Sequence, residues 1–537
     1  MSKFILVTSG VCSSLGKGVA TSAIGSLLES SGLKIEMMKC DPYINIDAGT
    51  ISPYQHGEVF VTEDGAETDS DLGNFSRFTS VKLTNENLVT IGKVYETVIR
   101  NERAGRYNGR TVQVIPHITD EIKRRILAMG SKTGADVVIV EIGGTVGDIE
   151  SIPYLEVARQ LSHELGKANC MTIHMALIPT IIGGELKSKP TQQSVKKLQE
   201  MGIQPDILLC RCDRLIDADM RKKIAMFCNV GVGSVFVSTD IEKSVYELPI
   251  LFHEQGLDAK IMEKLGIKDK TPDIKRWQTF INQLKNPERE VTIAMVGKKD
   301  YLDDCFKSVR ESLFHAAVTD YNANVVIKKI DAEALEEAES SEISKIFEGT
   351  DAIVIPGNYG QRGFLGLLQT VKYARENLIP FLGIDLGMQL MAIETARSLL
   401  LWKDADSTEF IQNSKHAIIS LPEEQSSVSA SGIMKLGASN VKINEDSRLF
   451  EIYGQEVISE RHRSKYVFDK KYAQDLESQG LFISAVAEED GQTEAFEWKT
   501  HPWGIGVQFH PEFKSRATNP HPLFVAFIGA AIDRKSR

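Results

Sequence analysis

The chain has 537 residues, of which 42% are hydrophobic and 25% charged, with a formal net charge of -11. That length exceeds one ordinary domain and predicts two, each able to bury its own core. The acidic balance argues against nucleic-acid binding, although clustered lysines can still hold a small polyanion. No apolar run approaches a membrane span, and the N-terminus enters a strand without a signal-peptide pattern, so a cytoplasmic protein with no membrane partner is expected.

The first element is the apolar run Phe4 to Val7, followed by Thr8-Ser-Gly-Val-Cys-Ser-Ser-Leu-Gly-Lys-Gly18 and a helical segment. Strand, glycine-rich loop and helix form a phosphate-binding arrangement: backbone N–H groups close on phosphate oxygens, the helix N-terminus adds positive partial charge, and Lys17 reaches the outer phosphates. The spacing departs from the common P-loop, with five residues between Gly10 and Gly16 and Gly18 where a hydroxyl would stand. A metal ligand must then come from elsewhere. Taken alone, the motif also fits a glycine-rich turn with a solvated lysine.

Further short apolar runs at Ile35 to Met38, Val137 to Val140, Met171 to Leu177, Ile207 to Cys210 and Val235 to Val237 alternate with helical segments. This predicts a doubly wound, mostly parallel α/β sheet, whose ligands collect at the C-terminal strand ends. Lys39 and Asp41 follow the second run; Glu141 and the glycines of Ile142-Gly-Gly-Thr-Val-Gly147 follow the third. The stretch Gln55 to Asp71 is too acidic for a core strand. Beside a phosphate site, its carboxylates predict a magnesium site, a solvated acidic loop being the alternative. Asp71 and Glu141 are the candidate metal carboxylates, though either can instead be a cap or loop residue. Lys187 and Lys189 precede a helix whose first turn holds Thr191 and Gln192, which suits a second triphosphate; a solvated basic turn fits the spacing almost as well. Asp148 and Glu150 flank a glycine-rich turn, where they can accept from a base amine or cap the next turn.

Charged stretches at 268–273 and 286–290 enclose a helical segment and mark residues 267–290 as a linker between domains 1–266 and 291–537. A second α/β series runs through Val291 to Gly297, Ala352 to Gly357 and Phe381 to Gly387. The seven cysteines are odd in number and lack zinc-site spacing, so reduced thiols are expected; none follows Cys305.

Taken together, Ser13-Ser-Leu-Gly-Lys-Gly18, Lys39-Cys-Asp-Pro-Tyr-Ile-Asn45, the run His56 to Asp69, Thr111-Val-Gln-Val-Ile-Pro-His117, the run Glu141 to Glu150 and Lys187-Ser-Lys-Pro-Thr-Gln192 resemble the CTP synthase family over essentially the whole chain. The resemblance implies a P-loop-like synthetase followed by a class I glutamine amidotransferase-like domain. It implies that Ser14, Leu15, Gly16, Lys17, Gly18, Val19 and Asp71 hold ATP, the co-substrate. Asp71 and Glu141 would hold magnesium, and Lys17 and Lys39 would be catalytic. Ser13, the run Lys187, Ser188, Lys189, Pro190, Thr191, Gln192, and Lys223 would hold UTP, while Asp148, Ile149 and Glu150 would contribute to a feedback site for CTP. The family reaction phosphorylates O4 of the uracil ring and displaces phosphate with ammonia, and lysines with magnesium stabilise the charge that develops. A homotetramer with UTP sites shared between subunits is also implied.

The second domain departs from the family pattern. His510 and Glu512 match the assisting pair of the glutaminase, and Leu386, Gln389 and Glu409 match its glutamine site. At the elbow Gly383-Ile-Asp-Leu-Gly-Met-Gln389, however, Asp385 stands where the family has cysteine. A carboxylate attacks an amide poorly and would have to pass through an anhydride. Asn358 replaces an oxyanion-loop glycine, and Lys465 replaces an arginine, losing a bidentate fork for a carboxylate. The sequence therefore predicts an ATP-dependent C–N ligase with a silent glutaminase half, in which His510 and Glu512 are vestigial and Asp385 pairs with His510. Its amine comes from solution, as ammonia or another small amine. Two other readings stay open. One is a ligase that attaches a different amine to UTP to give a modified cytidine nucleotide, motivated by Ser9, Cys12, Ala48, Ser70 and Asn74, which differ from the family pattern. The other is a non-catalytic paralogue that regulates or assembles with an active enzyme, against which the retained Lys17, Asp71 and Glu141 speak.

Overall fold

The computed structural model describes residues 2–13, 15–49, 51, 57–241, 243–268, 270–298, 305–357, 359–422 and 434–536. Two compact units emerge, Met1–Ala48 with Asp71–Ile281, and Gly49–Ser70 with Asn282–Arg537. No helix among the described residues is long and apolar enough to cross a membrane.

In the first unit the apolar runs become parallel strands β1 (Lys3–Ser9), β2 (Ile35–Asp41), β3 (Leu88–Thr90), β4 (Val137–Ile142), β5 (Cys170–Leu177), β6 (Ile207–Cys212) and β7 (Val235–Thr239). They form one sheet in the order β3-β2-β4-β1-β5-β6-β7. Ile5, Leu6, Val138 and Ile139 are wholly buried, as expected of central parallel strands covered on both faces; each such side chain contributes about 2 kcal/mol on burial. β2 and β3 lie on one side of β1 and β5 to β7 on the other, so the glycine-rich loop after β1 sits at the topological switch point.

The second unit is built on β8 (Arg289–Gly297), β9 (Ala323–Asp331), β10 (Ala352–Ile355), β11 (Phe381–Ile384), β12 (Lys435–Ile443), β13 (Val457–Ser464), β14 (Leu481–Ala487), β15 (Thr493–Trp498) and β16 (Gly504–Val507). The sheet order is β9-β8-β10-β11-β16-β15-β14-β12-β13. Pairings are parallel from β9 to β16 and antiparallel from β16 to β13.

Gly49–Ser70, inside the first domain expected over 1–266, groups by its contacts with the second unit. Its carboxylates find their partners there. Glu58 accepts from Ser308 N at 2.7 Å and Ser308 Oγ at 2.6 Å; Glu63 meets Arg461 at 2.7 Å, and Glu67 meets Arg463 at 2.9 Å. Phe60 packs edge-on against Phe513 with centroids 5.2 Å apart. Of the acidic run Gln55 to Asp71, Glu58, Glu63 and Glu67 are thus committed to these contacts, which leaves Asp71 as the metal candidate of that run. Within the expected linker, helix Lys275–Lys285 buries Trp277 and Phe280, and Trp277 stacks on Phe78 at 5.6 Å.

Candidate functional sites

In the first unit the loop after β1 ends at α1 (Lys17–Ser30), whose cap Gly16 has φ 79°, a conformation glycine adopts without strain. Val11 also has φ 81°, which is uncommon for a β-branched residue. Lys17 turns back onto the end of β4, donating to the carbonyls of Ile142 and, at 3.3 Å, Gly144. Lys39, at the end of β2, donates to Asp71 Oδ2 at 2.6 Å and lies 3.1 Å from Asp41 Oδ2. Asp71 opens α2 (Ser70–Phe78). A Cβ on Gly18 would come within 2.5 Å of Asp71 Oδ1, so the missing side chain at 18 makes room for a carboxylate. Glu141 is buried, its Oε2 without a hydrogen-bond partner among the described residues. Burial, then the nearby Asp71, pushes its carboxyl up to about 8, while burial lowers Lys17. The chain thus brings Lys17, Lys39, Asp71 and Glu141 to one place at the C-terminal strand ends.

Beside this cluster α3 (Lys189–Glu200) begins at Lys189, with Pro190 in its first turn. Thr191 donates to Leu177 O at 2.8 Å and Gln192 to Ser188 Oγ at 3.1 Å. Lys187 pairs with Glu185. Asp148 Oδ2 accepts from Thr145 N at 3.1 Å; Ile149, Glu150, Ser13 and Lys223 are exposed, Leu15 is buried and Val19 half-buried. Neither Lys223 nor Glu150 is joined to the cluster by a hydrogen bond or ion pair among the described residues. Ser14, expected at the ATP site, lies outside the described residues.

One residue the sequence reading passed over is His174. Nδ1 lies 2.9 Å from Thr8 Oγ1 and Nε2 lies 2.7 Å from Ser194 Oγ, so the ring ties β1 to α3 through β5. Burial drives it down to about 3, which keeps it neutral. A histidine inside an apolar strand was the available signal.

In the second unit β11 passes through Asp385, at φ 50° and ψ −105°, into α4 (Leu386–Ser398). That sharp strand-to-helix elbow depends on glycine: a Cβ at Gly383 would lie 2.5 Å from Gly387 C, and one at Gly387 would lie 2.8 Å from Ile355 O. Asp385 is only 2% exposed, and Gln508 Nε2 donates to its Oδ1 at 2.6 Å. Burial raises its carboxyl to about 7 despite the positive end of α4, with His510 opposing the shift. His510 Nδ1 lies 2.7 Å from Glu512 Oε1, and its Nε2 has no hydrogen-bond partner among the described residues. The expected pairing of Asp385 with His510 is therefore not formed; Gln508 takes the carboxyl instead. The sequence assigns Gln508 no role, since only the fold sets it against residue 385.

Gln389 Nε2 donates to Tyr466 O at 3.1 Å, and Leu386 is buried. Glu409 accepts from Gly360 N at 2.6 Å, and burial raises its carboxyl. Lys465 Nζ sits 5.7 Å from the centroid of the Tyr466 ring. Arg463, the neighbouring cation, is spent on Glu67 and lies over the Tyr359 ring at 5.4 Å. Asn358 lies outside the described residues.

A phosphate-type loop at a parallel switch point and a glycine-built elbow with a histidine–glutamate pair define the class, a synthetase unit coupled in one chain to an amidotransferase-type unit. The profile of the CTP synthase N-terminus matches residues 3–267, and that of class-I glutamine amidotransferases matches 301–530. A CTP synthase of Geobacter sulfurreducens is 49% identical over 100% of this chain and 99% of its own length, and one of Carboxydothermus hydrogenoformans is 48% identical over 99% of each. The solved Trypanosoma brucei CTPS glutaminase domain with bound acivicin is 35% identical over 45% of this chain and 94% of its own, with a TM-score of 0.43. The chain belongs to the CTP synthase family.

Proposed function

We propose that this chain phosphorylates UTP at O4 with ATP and displaces the phosphate with free ammonia to give CTP, its glutaminase half being silent. The observation that carries this reading is Asp385: the elbow is intact, yet it presents a buried carboxyl bonded to Gln508 instead of a thiol. No cysteine after Cys305 can replace it. A carboxylate in that place is a weak nucleophile toward an amide and would have to pass through an anhydride.

In the first unit Lys17 and Lys39 are the cations that face the transferring phosphoryl group, with the N–H groups of Leu15 to Val19 on the other phosphates. Ser13, Lys187 to Gln192 and Lys223 take UTP, and Asp148 to Glu150 serve the CTP site. Magnesium fits here. Glu141 Oε2 is a buried acceptor without a partner, and the space left at Gly18 admits the Asp71 carboxylate. Asp71 and Glu141 would hold the ion, which when bound supplies positive charge to the phosphate oxygens. A homotetramer in the cytoplasm completes the proposal.

The test supplies UTP, ATP and magnesium with glutamine, ammonium or other small amines in turn, and resolves the nucleotides by mass. CTP from ammonium but not glutamine is expected. CTP from glutamine would refute the silent half; a nucleotide of altered mass with one amine alone would replace ammonia as donor; absence of ADP throughout would show a non-catalytic chain.

A further inference from the structure

The pair His510 and Glu512 presents two buried acceptor atoms that no described residue satisfies. Glu512 Oε1 holds Nδ1 of the ring at 2.7 Å, which places the proton of the neutral imidazole on Nδ1 and a lone pair on Nε2. That Nε2 and Glu512 Oε2 both lack a hydrogen-bond partner among the described residues. Both residues line a cavity of about 190 Å³ whose walls include Gly57, Phe306, Gly357 and Phe513. Sites for drug-sized ligands are larger, about 300–1,000 Å³, so this one suits a molecule of a few heavy atoms.

Asp385 borders the same spot. A Cβ on Gly357 would fall 2.5 Å from His510 Cε1 and 3.4 Å from Asp385 Cβ, so the two side chains flank one bare glycine. Tyr359 and Arg463 also line the cavity; the Tyr359 hydroxyl donates to the backbone carbonyl of Arg463, and the Arg463 guanidinium pairs with Glu67. Two buried acceptors, on a cavity that the Glu58 carboxylate also lines, call for a small ligand that donates, and the Asp385 carboxylate beside them favours one that carries positive charge. Where a thiol would have supplied a nucleophile, the carboxyl supplies a counter-ion.

We propose that Asp385 and His510 form a capture site for the ammonium ion, in which the carboxylate holds the cation and Nε2 removes its proton. One N–H bond of ammonium breaks, its electron pair stays on nitrogen to give ammonia, and the proton passes to Nε2. The resulting imidazolium is stabilised by Glu512 and returns its proton to solvent. The inference rests on the ammonia-dependent reading given above, and goes beyond it by assigning the donor a binding site.

With UTP, ATP and magnesium saturating, at one pH and constant ionic strength, Asp385→Asn and His510→Gln should each raise KM for ammonium chloride about tenfold while KM for UTP and ATP stays in place. An unchanged KM for ammonium in both variants would overturn the proposal. A second measurement is independent of turnover. Crystals soaked in thallous acetate, whose cation has the charge and nearly the size of ammonium, should show an anomalous peak between the Asp385 carboxyl and His510 Nε2 that Asp385→Asn abolishes. No peak in the parent protein, or one that persists in Asp385→Asn as an adventitious ion only, would sink the capture site even if CTP forms. A peak lost on substitution, in a protein that makes no CTP from ammonium, would uphold the cation site and refute the ammonia-dependent synthetase.

Discussion

At the strand ends of the first unit, lysines and carboxylates converge: Lys17 and Lys39 stand with Asp71 and Glu141. At the elbow of the second unit, carboxyls gather around one imidazole, and the adjacent cation Arg463 is drawn off to Glu67. The first arrangement keeps the charges a phosphoryl transfer requires. The second keeps the backbone of an amidotransferase elbow, which glycines 383 and 387 impose whatever side chain stands at 385. Backbone architecture and side-chain chemistry have separate determinants, so likeness of fold in the second unit says little about whether it hydrolyses glutamine.

The comparison breaks most plainly at Lys17. Lys17→Ala should lower CTP formation by about 100- to 1,000-fold with every amine, since a cation facing developing charge is removed; steady-state assays across amines check this, and a fall confined to glutamine would invert the roles of the two units. Next in size is Arg461→Ala. Arg461 is buried and bonds Glu63 as well as the carbonyls of Val61 and Phe513, so its removal should cost about 3 kcal/mol, read from the denaturant midpoint of the second unit. Asp385→Cys should restore glutamine-dependent CTP synthesis to no more than about a tenth of the ammonia-dependent rate, because Asn358 and Lys465 remain. Glutamate release measures it, and full recovery would show that residue 385 alone separates the two halves.

The smallest effect concerns pH. A carboxyl whose pKa rises from the ordinary value to about 7 on folding binds more protons in the native than in the unfolded state, so stability falls as pH rises between about 4 and 7. Asp385→Asn removes that loss. Its Tm should exceed the parent's by a few degrees at pH 8 and approach it at pH 5, a gap that differential scanning fluorimetry resolves; an equal gap at both pH values would place the carboxyl's titration elsewhere.

The strands that were legible are those buried on both faces, because continuous apolar runs such as Phe4 to Val7 and Val137 to Val140 stand out from their surroundings. β3 has three residues and offers no such run. The antiparallel half of the second sheet, with strands like Val457-Ile-Ser-Glu-Arg-His-Arg-Ser464, mixes charge with burial and gives no clean alternation. His510 and Glu512 were legible through the family resemblance, which one short contiguous motif carries. The partner of Glu63 lies 398 residues away at Arg461, and Gln508 lies 123 residues from Asp385; pairings of that span belong to the tertiary structure, and residue type alone does not announce them.

His174 has both ring nitrogens occupied, one by Thr8 on β1 and one by Ser194 on α3, and it stays uncharged across the neutral range. A strut of that kind sets the span between the glycine-rich turn and the Lys189–Gln192 turn before either is filled. On the nucleotide reading proposed above, ATP and UTP would meet a gap whose width is set beforehand.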